Sequence, residues 1–192
     1  MLKKSVVFTI GVIFLGAIVS SYAKASDFYG GIKIGQYSYD NHDLDFSGHS
    51  LAMLGGYQIN PYLSVEIEHI IHGSDRSAFE MDIDTEEVYA EYDLSGSGSD
   101  TVFWVQPTLP LGDAWSLYGK VGWGFYDYEV TGWVFTDDDD GYRVGSEHDT
   151  GASFYKGVGL KWEGEAIDIR LEAVNQNRLE TDMISLGVTF RF

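Results

Sequence analysis

Beyond residue 26 apolar and polar positions alternate. Leu51, Met53, Gly55, Tyr57 and Ile59 alternate with Ala52, Leu54, Gly56 and Gln58; after Asn60-Pro61-Tyr62, a second run places Leu63, Val65, Ile67, His69 and Ile71 in one register. Side chains of an extended strand point alternately to its two faces, so a period of two predicts strand, and two such runs about a tight turn predict a hairpin. The design recurs around Gly112-Asp113-Ala114, where Phe103 to Leu111 runs in and Trp115 to Phe125 runs out. It recurs again around Glu163-Gly164-Glu165, between Phe154 to Trp162 and Ile167 to Ala173. A first strand from Phe28 to Tyr39 and a last one carrying Ile184, Leu186, Val188, Phe190 and Phe192 bring the count to eight. No window sustains a helical period of 3.6, so the class is all-β.

The opposite register decides what these strands face. It holds Lys33, Glu66, Glu68, Lys120, Lys161, Asp168, Arg170, Glu172 and Arg191, interleaved with glycines such as Gly56, Gly122, Gly157, Gly159 and Gly187. A soluble sandwich would turn these charges to water and pack its apolar faces together. The connections argue otherwise. Three are tight turns, whereas residues 40–47, 73–100, 127–151 and 175–182 form long polar connections. Short turns at one end and long loops at the other belong to transmembrane barrels, which are apolar outside and polar inside. Aromatics gather at both ends of the strands, with Phe28, Tyr62, Trp115, Trp162, Phe190 and Phe192 near the turns and Tyr39, Trp123, Phe125, Phe154 and Tyr155 near the loops. Such girdles suit two membrane interfaces. The predicted fold is an eight-stranded antiparallel up-and-down barrel whose charges pair inside a side-chain-filled interior. A ten-stranded barrel is the alternative, since residues 85–94 and the flanks of Gly141 also read as extended.

Residues 1–25 follow a different rule. Lys3 and Lys4 precede an apolar run from Val6 to Val19, and Ala23-Lys24-Ala25 has the form of a cleavage site. The run is shorter than the ~20 residues of a membrane helix, which predicts a cleaved signal peptide ahead of one domain over residues 26–192. The net charge is −18, and a nucleic-acid partner would require a basic face. The chain has no Cys, which removes disulfides and thiolate chemistry. The long connections hold most of the acid, with Arg76, Arg143 and Arg178 as their only Lys or Arg residues.

The stretches FYGGIKIGQYSY, LGGYQINPYLSVEIE, TLPLGDAWSLYGKVGWGF and FYKGVGLKW, with the ending ISLGVTFRF, resemble the outer-membrane β-barrel proteins of the small OmpA/OmpX type. The resemblance covers the chain from Ser26 to Phe192. It implies a Gram-negative outer membrane, turns in the periplasm, long loops at the cell surface, and lipid and lipopolysaccharide as surroundings. It also implies a C-terminal strand ending in Phe192 that the barrel assembly machinery reads. With nothing after that strand, anchoring to the cell wall is not expected, and a monomer is.

Two patterns could carry chemistry. Asp138, Asp140, Gly141 and Glu147 stand at positions 3, 5, 6 and 12 of a calcium-loop template, a spacing at which carboxylates can converge on Ca²⁺ or Mg²⁺; Thr136 occupies position 1, where the template has Asp. His72-Gly73-Ser74 resembles the His-x-Ser element of lipid A deacylases built on this barrel, with Glu86 or Glu87 to orient the imidazole. Asp75 replaces the Asn of that family, and His72 falls in the interior register while those enzymes act toward lipid. His42, His49, His69 and His148 follow no metal-ligand spacing and read as surface or rim positions. The reading is therefore neither catalytic nor cofactor-dependent. It is a structural or adhesin-like surface-recognition protein working through acidic loops, with a lipid A-modifying enzyme or a small-solute channel as alternatives.

Overall fold

Strand forms wherever β-branched and aromatic residues recur at every second position, because such side chains pack well on a pleated surface. The computed structural model describes residues 27–41, 44–73, 77–81, 90–135, 141–177 and 181–192. Its elements are β1 (Phe28–Asn41), β2 (Leu44–Asn60), β3 (Leu63–His72), β4 (Ser77–Met81), β5 (Ala90–Pro110), β6 (Trp115–Phe135), β7 (Gly141–Glu163), β8 (Ile167–Gln176) and β9 (Thr181–Arg191). β3 pairs with β5 from Leu63↔Pro107 to His72↔Gly98, and β9 returns to β1 from Tyr29↔Arg191 to Tyr39↔Thr181. Those two pairings close the ring. β4 pairs only with the far end of β5, Ser77↔Leu94 to Met81↔Ala90, and stands outside it. Eight strands thus make the barrel, and the extended residues near 90 form a hairpin extension. Sandwich and ten-stranded alternatives fall together.

The turns match their chemistry. Asn60 Oδ1 accepts a hydrogen bond from the Tyr62 amide at 2.8 Å, holding Asn60-Pro61-Tyr62 tight. Gly112 sits at φ 127°, where a side chain would clash with its own backbone. The long connections are shorter than the alternation alone predicts. β5 begins at Ala90, β6 continues to Phe135, and β7 resumes at Gly141. Hydrophobicity marks only the part of a strand that meets lipid. Past Phe125 the outward positions turn to Asp127, Glu129 and Thr131, yet the ladder continues to Glu91↔Phe135. About ten residue pairs therefore rise beyond the apolar belt, on the order of 30 Å at ~3.4 Å per residue.

Burial inverts that of a soluble protein. Ile34, Phe103, Trp123, Phe125, Val158 and Ile184 are exposed, while Lys33, Glu68, Lys120, Arg170 and Glu172 are each 1% exposed. Exposed apolar area on this scale, ringing the whole barrel, is a lipid contact surface. The aromatic girdles lie largely where the sequence puts them, with Trp115 paired to Trp162 at one end and Trp123 to Phe154 at the other. Tyr155 is the correction. It points inward and is 1% exposed, because its even spacing from Gly157, Gly159 and Lys161 sets its face, whatever its position along the strand.

Interior glycines make room for interior rings. A Cβ on Gly159 would overlap the Tyr118 ring, and one on Gly56 would overlap Tyr29. A Gly159→Val substitution should therefore overpack the core and lower stability by about 1–3 kcal/mol. Urea unfolding of the vesicle-inserted protein, followed by the gel shift between unboiled and boiled samples, measures the loss.

Candidate functional site: the charged interior and its two mouths

Three cations and three anions from four strands meet at the barrel centre. Lys33 on β1 lies 2.5 Å from both Glu68 and Glu172. Lys120 on β6 lies 2.8 Å from Glu66 and 3.4 Å from Glu68 and Glu172. Arg170 on β8 reaches Glu66 at 2.5 Å and Glu172 at 3.9 Å. None of these six side chains is more than 1% exposed. Removing such ions from water is costly, and only mutual pairing with further hydrogen bonds offsets the loss. Those bonds are present. Tyr29 donates its hydroxyl to Glu66 at 2.6 Å and Tyr118 donates to Glu172 at 2.8 Å. The Arg170 guanidinium lies over the Tyr29 ring at 4.9 Å, and the Lys120 ammonium over Trp104 at 4.6 Å.

A second cluster caps the short-turn mouth. Arg191 contacts Asp168 at 2.9 Å and Glu163 at 3.4 Å, Lys161 contacts Glu163 at 2.9 Å, and Ser116 donates to Glu163 at 2.5 Å. Between this cap and the central cluster lies a cavity of only about 10 Å³, touching Ser64, Gln106, Asp168 and Arg170. That is the space of a single water. At the long-loop mouth, His72 Nε2 meets Asp100 Oδ2 at 3.0 Å, the Tyr128 hydroxyl donates to the same carboxylate at 3.0 Å, and Tyr37 packs edge-on against His72 with centroids 4.8 Å apart. Gln176 donates to the Tyr155 hydroxyl at 3.0 Å. The interior is thus filled from cap to mouth by charged and aromatic side chains.

All nine charged residues assigned by register to the interior are there, eight buried and Arg191 partly exposed at the mouth. Asp100, counted by sequence with the loops, is instead 2% exposed inside the barrel, because β5 begins at Ala90, well before its apolar run starts at Phe103. Trp104 and Gln106 share its parity and point inward with it. Tyr29 and Tyr118 are likewise even-spaced from Lys33 and Lys120, so parity alone could have found these inward residues. Lys156 breaks the outer register. It is exposed between Phe154 and Val158 on β7, opposite Val121 and Asn175, close enough to the outer aromatic girdle for its stem to lie on apolar surface while the ammonium reaches the headgroups.

The sequence-derived catalytic and metal candidates do not come together among the described residues. His72 is 3% exposed and turned into the barrel toward Asp100, while Ser74, Glu86 and Glu87 lie outside the described residues. Asp138 and Asp140 also lie outside them, and Glu147 is an exposed position of β7. No group of three or more His, Asp or Glu side chains among the described residues is placed to hold a metal ion. His69 bonds Thr101 at 2.9 Å and His148 pairs with Asp127 at 2.7 Å, the latter exposed. His42 lies outside the described residues.

A closed barrel with this polarity has known counterparts, and the family model of the outer membrane protein beta-barrel domain matches residues 9–192. The chain belongs to that family. Its place is accordingly the outer membrane. It is 28% identical to outer membrane protein A of Klebsiella pneumoniae over 91% of its own length, and it spans about half, 54%, of that relative. Three solved barrels share the fold. The attachment invasion locus protein Ail of Yersinia pestis, solved with the heparin analogue sucrose octasulfate, aligns over 87% of this chain and 99% of Ail with a TM-score of 0.54 and 16% identity. OprG of Pseudomonas aeruginosa aligns over 88% of this chain and 97% of its own with a TM-score of 0.53 and 11% identity. Neisserial surface protein A aligns over 86% and 97% with a TM-score of 0.52 and 12% identity.

Because each interior charge is balanced by others, removing one should cost more than removing a pair. Arg170→Met leaves Glu66 and Glu172 short of a counter-ion and should destabilise the barrel by about 3–5 kcal/mol. Adding Glu66→Met should restore part of that loss. Chemical unfolding of single and double variants in detergent micelles tests the cycle.

Proposed function

We propose that this barrel is a structural and surface-recognition protein, a closed peg that holds an acidic strand extension above the outer membrane. The filled interior is the observation that carries the reading. Six mutually paired charges occupy the centre among the described residues, which argues against a continuous aqueous path. What remains for function is the long-loop end. There residues 127–132 and 145–154 carry Asp127, Glu129, Glu147 and Asp149 and no Lys or Arg. Ail was solved with a polyanion, but this surface would repel one and attract cationic groups.

The further assignments follow the same reading. Residues 1–25 act as the cleaved leader, the barrel inserts as a monomer, and the strand ending in Phe192 is its signal to the assembly machinery. The Phe192 amide bonds the Phe28 carbonyl at 3.0 Å, so that strand also completes the closure. Lipopolysaccharide forms the surroundings of the outer half, and Ca²⁺ or Mg²⁺ bridges its phosphates to the acidic rim. The inward orientation of His72 argues against the lipid A-modifying alternative.

In planar bilayers the purified barrel should give no discrete conductance steps, and lipid A from cells with and without it should have the same mass spectrum. Stepwise conductance would favour the channel; loss of an acyl chain abolished by Ser74→Ala would favour the enzyme.

A further inference from the structure

A groove breaks the lipid-facing wall at its short-turn end. Trp115, Leu160, Trp162, Ile169, Leu171 and Leu186, drawn from β6 to β9, enclose about 470 Å³ there. In register they form two rows, Trp115↔Trp162↔Ile169 next to the turns and Leu160↔Leu171↔Leu186 above. A Cβ on Gly164 would lie 3.3 Å from the Trp162 ring, so that ring leans toward the turn and opens the space before Leu160. One row further, a Cβ on Gly119 would meet nothing closer than 3.9 Å and Ala173 is small, so the wall stays low toward the bilayer centre. The volume is on the order of sixteen waters at ~30 Å³ each. Lined by aliphatic and indole groups, it suits a hydrocarbon tail.

The turns beneath the groove select the headgroup. The Glu163 amide donates to the Ala114 carbonyl at 2.7 Å, which sets the turns Gly112-Asp113-Ala114 and Glu163-Gly164-Glu165 side by side below the paired Trp115 and Trp162. Asp113 and Glu165 are exposed there and form no ion pair or hydrogen bond among the described residues. The neighbouring cations are engaged elsewhere, since Glu163 holds Lys161, and Glu163 and Asp168 hold Arg191 within the mouth. A tail seated in the groove therefore brings its headgroup beside two uncompensated carboxylates. Such a site attracts an ammonium and disfavours a headgroup of net negative charge. In this family of barrels the short turns face the periplasm, so the lipid comes from the inner leaflet.

We propose that the groove binds one phospholipid of the periplasmic leaflet, with a tail against Trp115, Trp162 and Leu171 and an ammonium headgroup, as in phosphatidylethanolamine, beside Asp113 and Glu165. Filled in this way, the barrel presents a continuous apolar wall at the depth where its tryptophan girdle meets the headgroups. The inference goes beyond the surface-recognition reading and does not depend on it.

The test uses the full barrel in nanodiscs of equal phosphatidylethanolamine and phosphatidylglycerol with identical tails, released into mild detergent and weighed by native mass spectrometry. One lipid should stay bound, and phosphatidylethanolamine should exceed phosphatidylglycerol by about fivefold, as expected for two exposed charge contacts. The double variant Asp113→Asn, Glu165→Gln should bring the two lipids to parity while still retaining one. Leu171→Trp fills the groove and should lose most of the retained lipid of either kind. Both variants should keep the unboiled gel mobility, since neither touches the interior. No retained lipid in the wild type, equal retention of the two lipids, or unchanged retention by Leu171→Trp would overturn the inference. An ethanolamine preference that survives the loss of both carboxylates would overturn it too. The surface-recognition reading fails separately, through conductance or a changed lipid A.

Discussion

The buried exchange among Lys33, Lys120, Arg170 and the three glutamates is the constraint around which the barrel is built. Ions taken out of water must find counter-ions, and here each cation touches two or three carboxylates. The cluster draws on β1, β3, β6 and β8, so it forms only when strands far apart in sequence have closed into a ring. Closure and ion pairing therefore require one another. The aromatic rings follow from the same need, since Tyr29 and Tyr118 satisfy carboxylate oxygens while their faces meet Arg170. The rings in turn require glycine opposite them, which is why Gly56 and Gly159 stand beside Tyr29 and Tyr118 in an otherwise bulky sheet.

The outer wall obeys the opposite solvent. Lipid demands that every backbone group be bonded within the sheet and that outward side chains be apolar. Together the two demands write the alternation directly into the chain, with charge or glycine in one register and Ile, Leu, Val, Phe or Trp in the other. A one-residue slip of any barrel strand would carry its charges into lipid and its apolar residues into the ion cluster, so register is fixed from both faces at once.

This double constraint explains what could be read from sequence. The eight strands, the tight turns and the nine inward charges were legible, because each depends on parity and parity survives without coordinates. The extensions were not. Past Thr101 and Phe125 the outward faces of β5, β6 and β7 leave the lipid belt, the apolar signal stops, and Ser, Gly, Asp and Thr read as loop although the ladder continues. Asp100 was misplaced for that reason, and Tyr155 because an aromatic near a strand end reads as girdle before its parity is counted. The catalytic and calcium patterns rest on spacing alone, and Ser74, Glu86, Glu87, Asp138 and Asp140 lie outside the described residues. A short motif says nothing about where its side chains point, and His72 points inward.

The same loss of signal marks where the barrel's working surface begins. Within the membrane the composition is dictated by lipid on one side and ion pairing on the other, leaving little freedom for recognition. Above it neither solvent constrains the strands, yet they remain ordered as strand because β6 is paired on both sides up to Phe135. A ladder whose outward side chains are constrained neither by lipid nor by the ion cluster can vary its charge without endangering the fold. The acid of Asp127, Glu129, Glu147 and Asp149 costs the barrel nothing in stability of closure, since none of it enters the ion cluster. Its partners lie within the extension itself, as in the exposed pair of Asp127 with His148 at 2.7 Å, and leave the central ion cluster untouched.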